Sequence, residues 1–419
     1  MAHICSILPP HLLKHILDSP LTSAQTQAAV RKTYDHVCQL HVNRCQKLYM
    51  REAPPRRAAP AGIIPPQVFQ AMVDSEDTSS EAKDRAKHEL VRTHNLRTDS
   101  SSEAKKPTTK HVYRSIYSSE KTDQLEKKLL FEEGAAAAVI AQDEDASRVY
   151  DFFGKTYQFY SEVFNRDSID NKGLHMKGSV HYDDQPGPPG YDNAFWDGSE
   201  MAFGDGDGEI FGTFTKNLDV IGHELTHGVT QLTADLEYEY QSGALNESIS
   251  DVFGSMIKQY FPKTAAADAD WLIGEGIFLP SVENAPALRS MKAPGTAYDN
   301  PKIGKDTQPA TMDGYANLDE SEDGGGVHTN SGIPNHAFYL ASVALGGYSW
   351  EKAGKVWYAA LTDKKLKGVD TKKTFGVFAD LTVKHAGSLF DEDTQKKVKQ
   401  AWIDVKVLTA DKGDDKDDL

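Results

Sequence analysis

The spacing of apolar residues near the start of the chain predicts helices. Over residues 10–50 apolar positions recur near helical spacing, and Leu12, Leu13, Ile16 and Leu17 are interrupted by polar residues, as in a short amphipathic helix. A secretory signal has an unbroken apolar core, which this pattern lacks, and no run reaches the ~20 apolar residues that a membrane-spanning helix needs. The pattern therefore predicts a soluble protein that does not associate with membranes, either cytoplasmic or exported by an unconventional route.

Beyond this helical region the pattern changes to irregular structure and then to strands. Residues 53–66 are rich in proline, which cannot continue a helix or a central strand, and residues 98–110 have the Ser, Thr and Lys content of an exposed joint. Residues 111–117 and 129–132 are predicted to be strands, and residues 144–164 a helix.

The second half of the chain has a different pattern. Residues 188–210 combine glycine, aspartate and aromatic residues, which is typical of hairpins and turns, and helical spacing dominates after about residue 216. Strands followed by helices predict an α+β fold with two lobes and a cleft between them.

Length and charge divide the chain further. With 419 residues it is too long for one ordinary domain, and we predict a front segment with its linker at 1–110, a β-rich lobe at 111–240, and a helical lobe with an acidic tail at 241–419. The front segment has a charge balance of +5 and the remainder one of −21. These charges favour attraction between the two parts, although chance surface composition explains them equally well. The net charge of −16 argues against nucleic acid as a partner.

The candidate chemistry begins with the run His223-Glu224-Leu225-Thr226-His227. On a helix, residues four apart lie on one face, so both imidazoles can share a zinc ion. Glu224 can reach a water beside the metal and take its proton as the water attacks a carbonyl. A helix that carries these residues by chance is the alternative, because the five-residue pattern also occurs without a metal.

A second acidic pair follows at Glu247 and Asp251. Because a catalytic zinc usually takes three protein ligands, Glu247 is the candidate third ligand. Asp251, one helical turn later, could accept the remaining ring N–H of a ligating histidine. Alone, the two acids would be a surface pair on a helix, but beside the histidine motif the metal site is the better interpretation.

These residues, in this order and spacing, resemble those of the thermolysin-like metalloproteases. The resemblance implies that one zinc ion is bound by His223, His227 and Glu247, and that Glu224 is the general base.

The resemblance also implies a set of supporting residues. Asp251 would orient the first zinc-binding histidine, and Asn246 would contact the second. Tyr238 and His328 would stabilise the oxyanion that forms when water adds to a peptide carbonyl, and Asp323 would hold the imidazole of His328 in position.

Residues 191–196, Tyr-Asp-Asn-Ala-Phe-Trp, resemble the edge strand that holds the substrate backbone in that family. The side chain of Asn193 and the main chain of Ala194 would bind the peptide, and Arg289 would support the residue that follows the cut bond. The pocket for that residue would be lined by apolar side chains, namely Phe211, Phe214, Val220, Ile273, Ile277 and Leu288. The resemblance therefore implies a preference for a bulky apolar residue immediately after the cut bond, with ordinary core packing as the alternative for these six.

Thermolysin itself holds paired calcium ions in an acidic cluster. The corresponding positions here are Asp219, Lys258, Asp270, Leu272 and Glu275. Two divalent ions need many anionic oxygens, so the replacements by Lys258 and Leu272 predict loss of the paired site. We expect the ammonium group of Lys258 to pair with the remaining carboxylates.

The short front segment, with Leu-Pro-Pro-His-Leu-Leu at residues 8–13, resembles the protealysin-like subgroup. In that subgroup the segment is an inhibitory propeptide that is removed by self-cleavage, so we expect a cut between about Leu90 and His111. Cys5 precedes this motif. One hypothesis places its thiolate on the zinc as a switch; the alternative, which we favour, is a small buried apolar residue.

The predicted function is a zinc endopeptidase made as a zymogen and acting as a monomer on peptides or proteins. A metallo-aminopeptidase would need an acidic residue placed to hold the free amine of its substrate, whereas Asn193 and Ala194 suit a peptide that passes through the cleft. A zymogen that serves only as a binding protein is a further alternative, but each catalytic position carries the residue type that the resemblance requires.

Overall fold

A computed structural model describes residues 5–49, 111–184 and 190–410, except for the side chains of residues 5, 6 and 38–49. Contacts divide the chain into a unit formed by residues 1–44 together with 111–419, and a second unit formed by residues 45–110. Of the second unit, only the end of one helix is described. The predicted linkers, the predicted cut site up to residue 110 and the tail after residue 410 lie outside the described residues.

The front of the chain forms one short strand and two helices. Strand β1 spans Cys5–Ser6, helix α1 spans Pro10–Asp18 and helix α2 spans Ala24–Tyr49. Leu12, Leu13 and Ile16 are completely buried, so the predicted amphipathic helix is confirmed. The strand was not predicted from the sequence.

The first lobe is built on a six-stranded mixed sheet with the order β1-β5-β6-β4-β2-β3. The strands after β1 are β2 (Arg114–Thr122), β3 (Lys128–Glu132), β4 (Met176–Tyr182), β5 (Ala194–Trp196) and β6 (Met201–Gly204). Strand β4 runs parallel to β2 and β6, and the other pairs are antiparallel. The predicted substrate-binding strand, β5, pairs on one side with β6 and on the other with β1 of the front segment.

A long helix covers this sheet. It is α4 (Glu144–Phe164), preceded by the short α3 (Ala137–Ile140). Helix α4 begins where Asp143 accepts a hydrogen bond from the backbone N–H of Ala146 at 3.0 Å, a favourable N-cap. The predicted helix over 144–164 is thus confirmed.

The sheet is joined to the helical lobe through two packed helices, α5 (Leu218–Gln231) and α6 (Tyr240–Tyr260). They approach closely at glycines: a Cβ on Gly222 would lie 2.8 Å from Ile257, and one on Gly254 would lie 2.4 Å from the carbonyl oxygen of Asp219. Two short hairpins follow, with strands β7 (Leu272–Ile273), β8 (Arg289–Ser290), β9 (Asp299–Asn300) and β10 (Gly304–Lys305). The remaining helices are α7 (Asp323–Asn330), α8 (Gly332–Leu345), α9 (Ala353–Leu361), α10 (Thr374–Leu389) and α11 (Glu392–Asp404).

This arrangement confirms the predicted α+β fold, with a sheet-containing lobe followed by a helical one. Helix α5, between the sheet and α6, carries the histidine motif at the junction of the two lobes. Among the described residues, no helix combines the length and the apolar content needed to cross a membrane.

Candidate active site

The packing of α5 on α6 brings three predicted ligands together. The Nε2 atoms of His223 and His227 lie 3.0 Å apart. Glu247 Oε2 lies 3.5 Å from His223 Nε2, and Glu247 Oε1 lies 3.4 Å from His227 Nε2. All three side chains are buried. Three candidate ligand side chains therefore face one another in a site that is buried from solvent.

The other ring nitrogen of each histidine is held by a neighbour on α6. His223 Nδ1 lies 2.8 Å from Asp251 Oδ1, and His227 Nδ1 lies 2.9 Å from Asn246 Oδ1. Because a carboxylate and an amide oxygen can only accept, each Nδ1 carries the hydrogen and each Nε2 presents a lone pair. Such support fixes both the tautomer and the orientation of a metal-binding imidazole.

The donor set fits a zinc ion. Two bonds of ~2.0 Å at a tetrahedral angle separate ligand atoms by roughly 3.3 Å, close to the three separations above. Glu247 Oε2 is buried and has no hydrogen-bond partner among the described residues, which is the state of an oxygen placed to bind a cation. His223, His227 and Glu247 would hold the ion.

Glu224 lies beside this cluster, and only one of its two carboxylate oxygens accepts a hydrogen bond within the described residues. Its Oε2 accepts a hydrogen bond from the backbone N–H of Trp196 on β5 at 3.2 Å. Its Oε1 is buried and has no partner among the residues that the structure describes. Burial, together with the charge of Glu247, raises the pKa of Glu224 well above its usual value. The carboxylate is therefore a stronger proton acceptor than an exposed glutamate.

Tyr238 and His328 approach Glu247 as a pair of hydrogen-bond donors. The hydroxyl of Tyr238 donates to Glu247 Oε1 and lies 3.3 Å from His328 Nε2. His328 Nδ1 lies 2.5 Å from Asp323 Oδ1, and its backbone N–H donates to Asp323 Oδ2. Burial opposes the charged imidazolium, but the carboxylates of Asp323 and Glu247 raise the pKa of His328 to about 9. The ring is thus positively charged near neutral pH.

The first turn of α7, between Asp323 and His328, departs from helical geometry at three glycines. Gly324, Gly325 and Gly326 all have positive φ, at 59°, 78° and 87°. Side chains other than glycine rarely adopt this backbone region, so the three glycines allow the turn that returns His328 to its aspartate.

This arrangement is suited to hydrolysis of an amide. A zinc ion bound here would polarise a carbonyl and lower the pKa of a water molecule. Glu224 Oε1 can take a proton from water and hand it to a leaving amine. Tyr238 and the charged His328 can donate hydrogen bonds to a carbonyl oxygen that gains negative charge, and one such donor is typically worth ~3–4 kcal/mol of barrier.

Three predicted substrate-binding residues lie around the front segment. Arg289 donates two hydrogen bonds to the carboxylate of Asp251, each at 2.8 Å, and a third to the carbonyl oxygen of Ile7 at 3.1 Å. The carbonyl oxygen of Ala194 accepts from the N–H of Ile7 at 3.5 Å. Asn193 is buried beside them, and its side-chain oxygen accepts from the N–H of Ala194.

The six predicted pocket residues are all buried and share one apolar cluster with Ile7. Three of them surround Gly274, where a Cβ would lie 3.3–3.8 Å from Leu288, Val220 and Ile277. Ile273 pairs with Arg289 between strands β7 and β8. Phe211 and Phe214 pack with ring centroids 5.7 Å apart. Their role in binding substrate stays a prediction.

The residues at the calcium-site positions form an ion-pair cluster. Lys258 Nζ lies 2.9 Å from Asp270, 3.3 Å from Glu275 and 3.8 Å from Asp219, and donates to the carbonyl oxygen of Leu272 at 3.4 Å. The ammonium group therefore pairs with the remaining carboxylates, as expected. The loss of calcium binding stays a prediction.

Sequence reasoning missed several groups that complete the site. The N–H of Trp196 holds Glu224, the side-chain amide of Asn335 donates to Asp251 at 2.8 Å, and Ile7 enters from the front segment. Backbone donors carry no side-chain signature, and Asn335 lies 84 positions from Asp251, so no local pattern announces either contact. Cys5 faces Trp196 in the sheet register, but its side chain lies outside the described residues.

Comparison with known proteins places the chain in a family. Residues 70–231 match the model for the thermolysin metallopeptidase catalytic domain, and residues 234–407 match that for the thermolysin metallopeptidase alpha-helical domain. The first match begins within the predicted front segment, and the predicted boundary at residue 110 stays a prediction.

Individual relatives agree with this assignment. The chain is 45% identical to protease PrtS of Photorhabdus sp. (strain Az29), over 85% of this chain and 94% of that protein. It is 49% identical to an extracellular metalloprotease of Pectobacterium carotovorum subsp. carotovorum, over 70% of this chain and 81% of that protein. The solved precursor of protealysin, a metalloproteinase from Serratia proteamaculans, is 48% identical, with a TM-score of 0.67, over 83% of this chain and 99% of that one. Together with the cluster of His223, His227 and Glu247, these matches show that the chain belongs to the thermolysin-like metalloproteases, in their protealysin-like group, and is a zinc metalloendopeptidase.

Proposed function

We propose that the chain is a latent precursor in which residues 1 to about 110 block the cleft until the enzyme removes them by self-cleavage. The observation that supports this most directly is the pairing of β1 with β5. Cys5 and Ser6 pair antiparallel with Trp196 and Phe195, and Ile7 continues the contact through Ala194 and Arg289. The front segment therefore makes the main-chain contacts that a peptide substrate would use, in the β-strand addition mode.

The burial of Ile7 supports the proposed specificity. Its side chain is completely buried in the main apolar core, which also contains the six predicted pocket residues, and its carbonyl oxygen accepts a hydrogen bond from Arg289, the neighbour of the pocket residue Leu288. A substrate peptide in this register would place its own side chain where Ile7 lies. We propose that the enzyme cuts peptide bonds on the amino side of bulky apolar residues.

Further contacts hold the front segment against the catalytic part. The hydroxyl of Thr26 donates to Glu209 at 2.6 Å, and the hydroxyl of Ser19 donates to the carbonyl oxygen of Pro301 at 3.3 Å. Lys32 forms an ion pair with Asp183 at 3.2 Å. Cleavage alone would leave these contacts in place, so release requires a second step, such as further digestion of the freed segment.

The test follows the purified full chain in a casein assay while mass spectrometry records its N-terminus. Activity should rise as the front segment is lost, and a zinc chelator should abolish both processes. Ile7→Asp, which places a charge at a completely buried apolar position, should shorten the latent phase, whereas the exposed-site control Glu392→Gln should not. Full activity in chelator, or full activity with an intact N-terminus, would overturn the proposal.

Peptide substrates test the specificity and the aminopeptidase alternative together. Peptides that differ only in the residue after the bond should be cut faster with Leu or Phe than with Ala or Glu, as measured by kcat/KM. Acetylation of the peptide N-terminus should leave the rate unchanged. An aminopeptidase would instead lose its activity on the acetylated peptide.

The Cys5 switch needs its own experiment. The register places Cys5 two residues before Ile7, and the favoured interpretation is a packing role. Cys5→Ser in the full chain should therefore leave latency and cleavage rate unchanged. A shortened latent phase would support the thiolate switch instead.

A further inference from the structure

The front segment also contacts a second surface, called the patch below, which contains Asp183, Asp192 and the aromatic rings of Tyr182, Tyr191 and Phe195. Because β1 runs antiparallel to β5, the chain direction from Ser6 to Ile7 leads along β5 from Phe195 towards Asn193. Tyr182 pairs with Gly204, whose N–H donates to the carbonyl oxygen of Asn193, so Asp183 and Asp192 lie at the end of the sheet towards which this direction leads. A substrate in the same register would send the residues on the carboxyl side of its cut bond towards this patch.

Helix α2 makes polar contacts with the patch. Lys32 Nζ lies 3.2 Å and 3.5 Å from the two carboxylate oxygens of Asp183. The next residue, Thr33, accepts a hydrogen bond from the backbone N–H of Asp192 at 3.1 Å. A lysine ammonium thus occupies a defined position against a carboxylate that is itself only 4% exposed.

Aromatic rings form the second part of the patch. His36 lies among the rings of Tyr182, Tyr191 and Phe195, with centroid distances of 6.2, 5.5 and 5.4 Å. His36 Nδ1 also lies 2.7 Å from the hydroxyl of Tyr191. Burial lowers the pKa of His36 to about 4, so this ring is neutral in its aromatic surroundings.

Further carboxylates lie near the ion pair of Lys32 and Asp183. Asp192 is completely buried, and neither of its carboxylate oxygens has a hydrogen-bond partner among the described residues. Asp192 lies within electrostatic reach of Lys32, Asp183 and Asp207. Burial and Asp183 also raise the pKa of the neighbouring Asp184 to about 6. Departure of α2 would remove Lys32 from the carboxylate of Asp183.

We propose that Asp183, which directly follows Tyr182 of this aromatic cluster, binds a lysine or arginine side chain of the substrate on the carboxyl side of the cut bond. Carboxylates and aromatic faces are the two groups that attract such cations, and partial burial strengthens both interactions. In the precursor, Lys32 occupies the place of that substrate side chain. This subsite rests on the proposed function, because it opens only when the front segment has left.

The experiment uses the enzyme after loss of its front segment and acetylated peptides with one common cut bond. A single lysine is moved through the third to sixth positions after that bond, and each peptide has a twin with glutamine in its place. At one position the kcat/KM of the lysine peptide should exceed that of its twin about tenfold at low salt. The ratio should fall towards one in 0.5 M NaCl, since screening weakens ion pairs.

Asp183→Asn should bring the lysine-to-glutamine ratio close to one, whereas Asp393→Asn, the same charge change on exposed α11, should preserve it. Because both peptides are measured on one variant, a general loss of activity cancels, and the salt effect on the unsubstituted enzyme tests the idea even if Asp183→Asn folds poorly. A ratio below two at every position, or one that survives Asp183→Asn, would overturn the subsite alone. Failure to cut even the glutamine peptides would overturn the proposed endopeptidase and the subsite with it.

Discussion

Helices α5 and α6 bring charged side chains together at two places along their contact. The first place, around His223, offers ligands to an external cation, whereas the second already contains a lysine. At one, His223, His227 and Glu247 turn their ligand atoms towards one another, and Glu247 Oε2 has no hydrogen-bond partner among the described residues. At the other, Lys258 reaches in among acidic side chains, including the buried Asp219.

The difference shows how one helix pair can carry both a reactive and a structural centre. A site meant for an external cation keeps buried oxygens and nitrogens unused, which is costly without that cation. A structural cluster supplies its own cation from a side chain and needs no ion. The close packing at Gly222 and Gly254, between the two places, keeps both sets of side chains in register.

The largest expected effect concerns the proton acceptor of the reactive place. Glu224→Gln keeps the shape and the hydrogen bond from Trp196 but cannot accept a proton from water. We expect kcat/KM to fall by ~10²–10⁴-fold and the full chain to keep its front segment. Glu392→Gln, at an exposed position on α11, should match the unsubstituted enzyme in both measurements. A variant that retains more than a tenth of the activity would remove Glu224 from its proposed role.

The next effect concerns the carboxylate that holds His223. Asp251 accepts from His223 Nδ1 and from Nε and Nη2 of Arg289. Asp251→Asn removes the charge behind the imidazole, and we expect zinc affinity to fall by ~10–100-fold. Competition with a chromophoric chelator measures this directly, and excess zinc should restore part of the activity. Unchanged zinc affinity would mean that Asp251 serves only to hold Arg289.

At the Lys258 cluster, we expect a substitution to lower the free energy of unfolding without lowering the activity. Lys258→Gln leaves the buried carboxylate of Asp219 without its cation, which should cost about 1–3 kcal/mol of unfolding free energy. Activity per folded molecule should not change. Denaturant unfolding measures the cost, with Lys396→Gln on the exposed face of α11 as the matched control.

The effect of calcium on thermal unfolding tests whether Lys258 takes the place of a bound ion. The unsubstituted enzyme should unfold at the same temperature in calcium and in a calcium chelator, because an ammonium group already neutralises the cluster. In Lys258→Glu, which adds a carboxylate in place of that cation, calcium should raise the midpoint. A calcium-dependent midpoint in the unsubstituted enzyme would contradict the proposed loss of the paired site.

The reactive place could be predicted from sequence because its parts are local. His223 and His227 share a helix, Glu247 and Asp251 share the next one, and their spacings carry the geometry. Asp323 and His328 are likewise five positions apart, and they meet in the structure. The ion pairs of Lys258 could also be predicted. Lysine stands there in place of a carboxylate of thermolysin, and the neighbouring positions of that cluster remain acidic, so opposite charges meet.

The contacts that could not be predicted join distant parts of the chain. Strand β1 is only two residues long, too short for an alternating pattern to announce it, and its partner β5 lies about 190 positions away. Arg289 was assigned to the substrate pocket, yet it holds Asp251 as well as Ile7. Such contacts depend on where the sheet and helices place the backbone, which residue types alone do not encode.

The smallest expected effect is a pH-dependent change in stability at His181, a cation that, unlike Lys258, can lose its charge near pH 9. His181, at the end of β4, lies between Asp205 Oδ1 at 2.7 Å and Asp143 Oδ2 at 2.9 Å. Its hydrogen bond to Asp205, joined by that to Asp143, outweighs burial and raises the pKa of His181 to about 9. The folded state therefore binds this proton more tightly than the unfolded chain, so the stabilisation is complete below about pH 6.5 and is lost as the pH rises through 9.

Lys258 should behave differently over the same range, because its pKa is raised above the usual 10.5 and its charge persists. His181→Asn keeps a side chain that tolerates the positive φ of 55° at this position while removing the titratable ring. The stability difference between this variant and the unsubstituted enzyme should be about 1–2 kcal/mol at pH 6, after allowance for partial exposure, and should shrink towards zero by pH 9.5. The difference for Lys258→Gln should stay constant across those pH values. Denaturant unfolding at each pH measures both, and a difference for His181→Asn that does not change with pH would mean that the ring stabilises this corner by packing rather than by charge.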